Sequence, residues 1–424
     1  MTRTRNVADI IKQPFTTTLG TSNYRAGVNA GNSIASGGNF NVALGDEAGT
    51  ALTTGDQNVF VGYQAGDAQT TASQNTFVGM GAATANTEGT ESVALGYKAL
   101  GSNTVGSKST AIGYLSLFYQ NYSSATDSHN TAVGHLAGQN VTTGVFNTLI
   151  GSLAGDALTT GGENTAVGLG ALTADTLGSH TVAIGRGVLE TQNFTTATDS
   201  NNTAVGTFAG RAVTTGVQNT LIGGSAGDAL NDADFNVALG FGALTADTKG
   251  SRSLAIGNNA LQSQNFTSST NSNNIAIGHD AGRLVSTGVQ NTFVGANCGD
   301  GTNDGASNTA IGYDSLSANC GNNNTATGRF SLTNCTGGNN TAIGDQAGNN
   351  VTSGSNLLLL GKDAGITGSP GGNLTSGNND LVLGDENISG ANIQVSFTVA
   401  SDQRDKTDFT ALDLGLDFVK ALAP

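Results

Sequence analysis

Apolar and polar positions alternate within one short phrase that returns along most of the chain. In Asn130-Thr131-Ala132-Val133-Gly134, Thr131 and Val133 fall on one side of an extended backbone and Ala132 on the other, the period-two pattern of a strand. The closing glycine recurs at 45, 62, 79, 96, 113, 134, 151, 168, 185, 206, 223, 240, 257, 278, 295, 312, 328, 344 and 361, with a shifted last copy at Gly384. Most steps are 17 residues, but those after Gly113, Gly185 and Gly257 are 21, so a second period of 72 is superimposed. A period this short predicts an all-β solenoid of 17-residue coils, each holding one short strand. Glycine punctuates every coil, as at Gly134, Gly138 and Gly144, where positive φ or close backbone approach is needed. With 63 glycines in 424 residues, at about 1 kcal/mol each against alanine, no part of the repeat sustains a helix.

Four residues before the closing glycine stands Asn in 14 of these 20 coils; Ser92, Ser109, Thr181, Ser253, Leu357 and Asp380 take the others. Two readings are open. Coils about 4.8 Å apart would bring the amides into a hydrogen-bonded ladder, or Asn serves there because it tolerates a left-handed turn. The apolar content is thin: the coil from Asn147 offers Leu149, Ile150, Leu153, Ala154, Ala157 and Leu158, against roughly 1 to 2 kcal/mol of backbone entropy for each ordered residue. The aliphatic residue before each glycine (Val61, Val78, Ile112, Val133, Ile150, Val167, Ile184, Val205) is therefore expected to face another copy of the chain, and three-fold closure lets three such stripes meet on one axis.

The phrase Asn-Thr-Ala-Val-Gly followed by x-x-Ala-Gly resembles the head repeat of trimeric autotransporter adhesins. That resemblance implies a left-handed β-roll in a parallel homotrimer. Domain limits follow the period: an anchoring segment over 1–24, the solenoid shaft over 25–390, a terminal strand over 391–400, where Ile393 to Val399 alternates cleanly, and a distinct segment over 401–424. About twenty coils at about 4.8 Å predict a shaft of about 95 Å.

Charge narrows the partners. The 31 acidic and 16 basic residues leave a net −15, which repels nucleic acid over the whole length. No apolar run reaches membrane-spanning length, the longest being Leu357 to Leu360, and Arg3, Arg5, Asp9 and Lys12 leave no apolar core for a signal peptide in residues 1–15. Cys298, Cys320 and Cys335 read as small buried residues rather than a disulfide, and without a Cys-x-x-Cys pair or clustered His no metal or other cofactor is expected.

The remaining candidates sit at particular places. Thr2 to Ile11 is basic and then mildly apolar; Arg3 and Arg5 resemble the Arg-rich openings of some phage fibre and collar proteins, which implies anchoring to other virion structural proteins. The 21-residue coils carry near-identical insertions, Gln120 to Ser128, Gln192 to Ser200 and Gln264 to Ser272, expected to bulge outward. Their aromatics, Tyr122, Phe194 and Phe266, either contact a host receptor or pack down onto the scaffold. Asp156, Asp228 and Asp300 occupy equivalent places four coils apart, too distant for a paired-carboxylate glycosidase. Thr-Thr-Gly, at Thr53, Thr142, Thr159 and Thr214, is too intermittent for an ice-binding face. Finally, Ser401 to Asp408, continued by Gly415 to Pro424, resembles the start of the self-cleaving intramolecular chaperone of phage tail spikes and fibres. The resemblance implies Ser401 as nucleophile, Lys406 as base and the Ala400–Ser401 bond as the one cut, after the segment has assisted trimer folding.

The sequence thus predicts a trimeric β-solenoid fibre or spike of a bacterial virus, made in the host cytoplasm and carried on the virion. Its work is mechanical and adhesive, with at most one self-cleavage and no turnover. Its partners are two sister chains, the virion and a host-surface glycan or protein, and no membrane insertion is expected. A glycan-cleaving tail spike and a fragment of a bacterial trimeric adhesin are the alternatives.

Overall fold

The computed structural model describes residues 20–390. Residues 20–385 form one stacked body and residues 386–390 belong to a second unit, of which they are an exposed turn. The described residues are all β, with no helix. Twenty-one three-residue strands, from Tyr24–Ala26 to Leu381–Leu383, pair in parallel in one sheet. Register follows the repeat: Thr131, Ala132 and Val133 lie beside Thr148, Leu149 and Ile150 of the next coil. The structure adds one coil ahead of those read from the sequence, Asn23 to Gly27.

Outside the strand the coil is made of turns, yet it stays stitched to its neighbours. Gly134 N donates to Ile112 O at 2.8 Å, Leu136 N to Tyr114 O at 2.9 Å, Gly138 N to Ala154 O at 3.0 Å and Thr142 N to Thr159 O at 2.9 Å. Each coil thus meets most of its backbone needs from the coils on either side, and turns within it, such as Val141 N to Gly138 O at 3.1 Å, supply others.

The corners have a chemical signature. Gly134, like the other closing glycines from Gly45 to Gly344, has φ between +128° and +144°, and the carbonyl of the next closing glycine, Gly151, lies 2.4 Å from where its Cβ would be. Only glycine fits. Two further corner places, such as Leu136 and Phe146, are left-handed without being glycine, and no residue of this kind in the described chain is Val, Ile or Thr. β-branched side chains, abundant in the strands, are the ones a left-handed backbone tolerates least.

The core lies inside each coil and is continuous along the stack. It is filled by complementary volumes. Leu149 in its strand lies between two corner glycines, Gly138 and Gly155, whose added Cβ atoms would sit 2.6 and 2.8 Å from its methyl groups. In the next two coils the strand residues are Ala166 and Ala183 and the corners are Leu172 and Leu189. Leu221 with Gly210 and Gly227, and Phe293 with Gly282 and Gly299, repeat the arrangement. The 72-residue period is therefore a packing rule: bulk comes alternately from strand and from corner. Of the six apolar residues expected in the coil from Asn147, Leu149, Ala154 and Leu158 are inside; Ile150, Leu153 and Ala157 lie on or near the surface. At the first coil the inner strand position is Arg25, whose Nη1 donates to Gly31 O at 2.6 Å, so the core ends on a charged side chain.

Candidate functional site

The Asn column comes first because it positions everything else. Every one of the fourteen side chains accepts, through Oδ1, the amide N–H of the equivalent residue in the next coil; Asn147 Oδ1 receives Asn164 N at 3.0 Å and Asn164 Oδ1 receives Thr181 N at 2.9 Å. In twelve of them Nδ2 donates to the carbonyl fourteen residues on, as Asn147 does to Gly161 O at 3.0 Å. The ladder is thus mainly amide to backbone; a direct bond from one column amide to the next occurs only at Asn58, Asn219 and Asn324 among the described residues. The left-handed residue is the one before, such as Phe146 or Glu163, so the turn-tolerance reading of Asn is corrected.

The insertions are pinned by two-residue parallel strands, Gly106–Ser107 with Thr126–Asp127 in the first and Gly178–Ser179 with Thr198–Asp199 in the second. Lys108 Nζ reaches Asp127 Oδ2 at 2.6 Å, and His180 lies 3.2 Å from Glu163 and 3.1 Å from Asp199. The insertions do bulge, exposing Ser123 to Ala125 and Thr195 to Ala197. Their rings do not face outward. Tyr122, Phe194 and Phe266 are only 8, 5 and 6% exposed. Tyr122 Oη donates to Gly144 O at 2.9 Å, and burial pushes its hydroxyl up to about 12. Packing, not receptor contact, is what these rings do, and they are withdrawn as a stacking platform.

Beneath each insertion runs a buried polar cluster that the sequence reading missed. Gln192 Nε2 donates to Asp175 Oδ2 at 2.7 Å while Gln192 Oε1 accepts Asn202 Nδ2 at 2.8 Å; Gln264 joins Asp247 to Asn274 in the same way. Burial raises the carboxyls of Asp175 and Asp247 above the ordinary range, and hydrogen bonds from Gln192 or Gln264 and from the backbone offset only part of this. The 72-residue counterpart of Asp175 is Asn103, which bonds Gly106 in a neutral version of the site. That substitution was the available signal.

Two of the outward acids are likewise spoken for: Asp156 and Asp228 each accept the hydroxyl of the next coil, Thr173 and Thr245. At the third, Ser317 Oγ donates instead to Asn297 O at 2.9 Å, and the buried Asp300 Oδ1 has no hydrogen-bond partner among the described residues. Thr53 Oγ1 donates to Thr70 O at 3.0 Å and Thr142 Oγ1 to Thr159 O at 3.1 Å, so this threonine column turns its hydroxyls into the stack. Cys298, Cys320 and Cys335 are free and buried. Among the described residues no group of three His, Cys, Asp or Glu converges as a metal site, and no helix is long and apolar enough to cross a membrane. Arg3, Arg5, Ala400, Ser401 and Lys406 lie outside the described residues, as does the terminal strand expected near 393–399.

What remains open to a partner is the outer face of the large sheet. Its last strand position is aliphatic in every coil from Leu44 to Leu383 except at Thr327, and these side chains are half-buried or exposed, Ile150 by 39%, Ile184 by 37% and Ile222 by 36%. Beside it runs a stripe of stacked rings, Tyr97 on Tyr114 and Tyr114 on His135, each at 5.2 Å. This geometry offers a long, chemically uniform contact surface. Compared with known proteins, the chain matches no family model and no curated protein.

Proposed function

We propose that the chain is the shaft of a trimeric attachment fibre or spike of a bacterial virus, with three copies burying the outer sheet faces against one another. The observation that supports this most directly is the aliphatic column from Leu44 to Leu383 on the outer face of the sheet. Burying the exposed part of each such side chain is worth roughly 0.5 to 1 kcal/mol, and some twenty rungs exceed the several kcal/mol lost on association. A surface so poor in charge beside it, and bearing no cluster for chemistry among the described residues, fits a load-bearing and adhesive part. The viral assignment rests on the resemblances at Arg3 and Arg5 and at Ser401 and Lys406, with the former anchoring the chain and the latter releasing it after Ala400.

The test is the mass of the full chain in dilute solution, together with the triple variant Ile150→Asp, Ile184→Asp, Ile222→Asp. The trimeric mass is expected for the parent and its loss for the variant, with the β signal of the coils kept, because these side chains stand outside the core. A monomeric parent at micromolar concentration overturns the assembly. A chain found cut before Ser401, and left intact by Ser401→Ala, supports the maturation step; labelled fibre that fails to bind any bacterial cell argues against attachment.

A further inference from the structure

Only two steps between closing glycines are shorter than 17 residues, and they are consecutive. The steps from Gly312 to Gly328 and from Gly328 to Gly344 are 16 residues, and in the first of these coils the corner glycine, Gly144 or Gly305 elsewhere, comes one residue early as Gly321, whose carbonyl accepts Asn324 Nδ2 at 3.2 Å. The carbonyl fourteen residues on, which an Asn side chain normally uses, belongs here to the exposed Asn322 and accepts Asn339 N at 2.8 Å. Asn308, fully buried, still accepts Asn324 N at 3.0 Å and Asn324 Nδ2 at 3.1 Å through Oδ1, which fixes the orientation of its amide. Its Nδ2 has no partner among the described residues. The next Asn escapes this because Asn324 Nδ2 reaches Gly337 O at 3.0 Å, one residue early.

Two further departures coincide. At this corner Asn303 N is served by the exposed side chain of Asn319 at 3.0 Å, where an ordinary coil is served by backbone, as when Ser286 N donates to Asn303 O at 2.8 Å. Thr327, in the same short coil, interrupts the outer aliphatic column. An unmet buried donor is disfavoured inside the fold and relieved by water when the corner opens, and exposed side-chain bonds resist that opening least.

We propose that the junction between the coils of Asn308 and Asn324 is a built-in yield point, where the corner made by residues 302–306 and 319–323 opens locally while the strands and the coils before it stay stacked. Linear arrays with only nearest-neighbour contacts permit such separate opening. The proposal holds for one copy or for three, since the corner lies within each coil.

The chain carries its own reporters. Cys298 precedes the junction, with Sγ on Ala310 O at 3.0 Å; Cys320 lies in the corner, with Sγ 3.2 Å from Thr302 Oγ1; Cys335 follows it. In the parent protein without denaturant, Cys320 should react with a small disulfide reagent at least ten-fold faster than Cys298, and amides of 302–306 and 319–323 should exchange faster than those of 280–298. Inserting one residue between Cys320 and Gly321, to restore the 17-residue step, should bring the two thiols to a common rate. Equal rates for Cys298 and Cys320 in the parent, or an exchange profile that is flat across the junction, would overturn the proposal. The parent measurements decide it even if the insertion fails to fold.

Discussion

Replacing Asn147 by alanine isolates what the Asn column contributes. The substitution removes the acceptor of Asn164 N and the donor to Gly161 O, both bonds at 3.0 Å or less and both buried. Two backbone groups are left without partners, at about 1 to 3 kcal/mol each, so the expected loss is about 2 to 6 kcal/mol. Asn308→Ala is the internal control. It orphans only Asn324 N, because Asn308 Nδ2 had no partner to lose, and about half the effect is expected. Asn147→Asp separates geometry from charge: the acceptor is kept, but an ionised carboxylate faces Gly161 O where a donor stood. Stability of that variant should therefore recover as pH falls and the carboxyl regains a proton, with the acid form favoured in the fold. The assay is a urea midpoint on the full chain, read with peptide-level hydrogen exchange because a repeat stack need not unfold in one step. If Asn147→Ala lies within 0.5 kcal/mol of the parent (roughly the scatter of a surface substitution), or if Asn308→Ala is as damaging, the ladder does not carry the stack as argued.

Other perturbations test other parts of the structure. Gly151→Ala should cost about 3 kcal/mol or more, measured as a fall in Tm, since φ is +136° and the new Cβ would lie 2.4 Å from Gly168 O; Gly170→Ala, at φ +63° with open space around it, should cost about 1 kcal/mol. For Asp175 and Asp247 the folded carboxyl is raised above its unfolded value, so the contribution to stability is fully present below the unfolded value and lost as pH rises through the folded one. Asp175→Asn with Asp247→Asn should therefore stabilise the chain at neutral pH by about 1 kcal/mol or more and flatten its stability between weakly acid and neutral pH; Asn86, which donates to Gly89 O at 3.0 Å beside Asn75, shows that the amide fits. Unchanged slopes in denaturation at several pH values would count against it. Phe194→Ala should lower Tm through the cavity left in the second insertion, by about 3 to 5 kcal/mol in free energy, whereas a receptor role would leave Tm alone.

Much of this architecture is legible in the sequence because the glycine after each strand is unavoidable. The spacing of Gly134, Gly151 and Gly168 gives away the coil length, and the pleat of Thr131 and Val133 gives away the strand. What the pattern hides is which apolar residue turns inward. Leu149 and Ile150 are neighbours of similar hydropathy, and only the volume match of Leu149 to Gly138 and Gly155 places it inside. The left-handed corners were also readable, by omission: Leu136, Phe146 and Glu163 share nothing except not being β-branched. Tyr122 misled because a ring in a loop of Ser and Thr looks exposed, while the carbonyl that holds its hydroxyl, Gly144, sits one coil away.

The exchange of bulk between strand and corner sets how such a shaft can change length. Excising one coil, residues 148–164, would remove Leu149 and leave the hollow beside Gly138 with nothing to fill it. Excising a whole quartet, residues 135–206, joins Gly134 to Thr207 and restores every neighbour in kind. Growth and shortening by unequal recombination should therefore be tolerated in multiples of four coils and selected against in any other number.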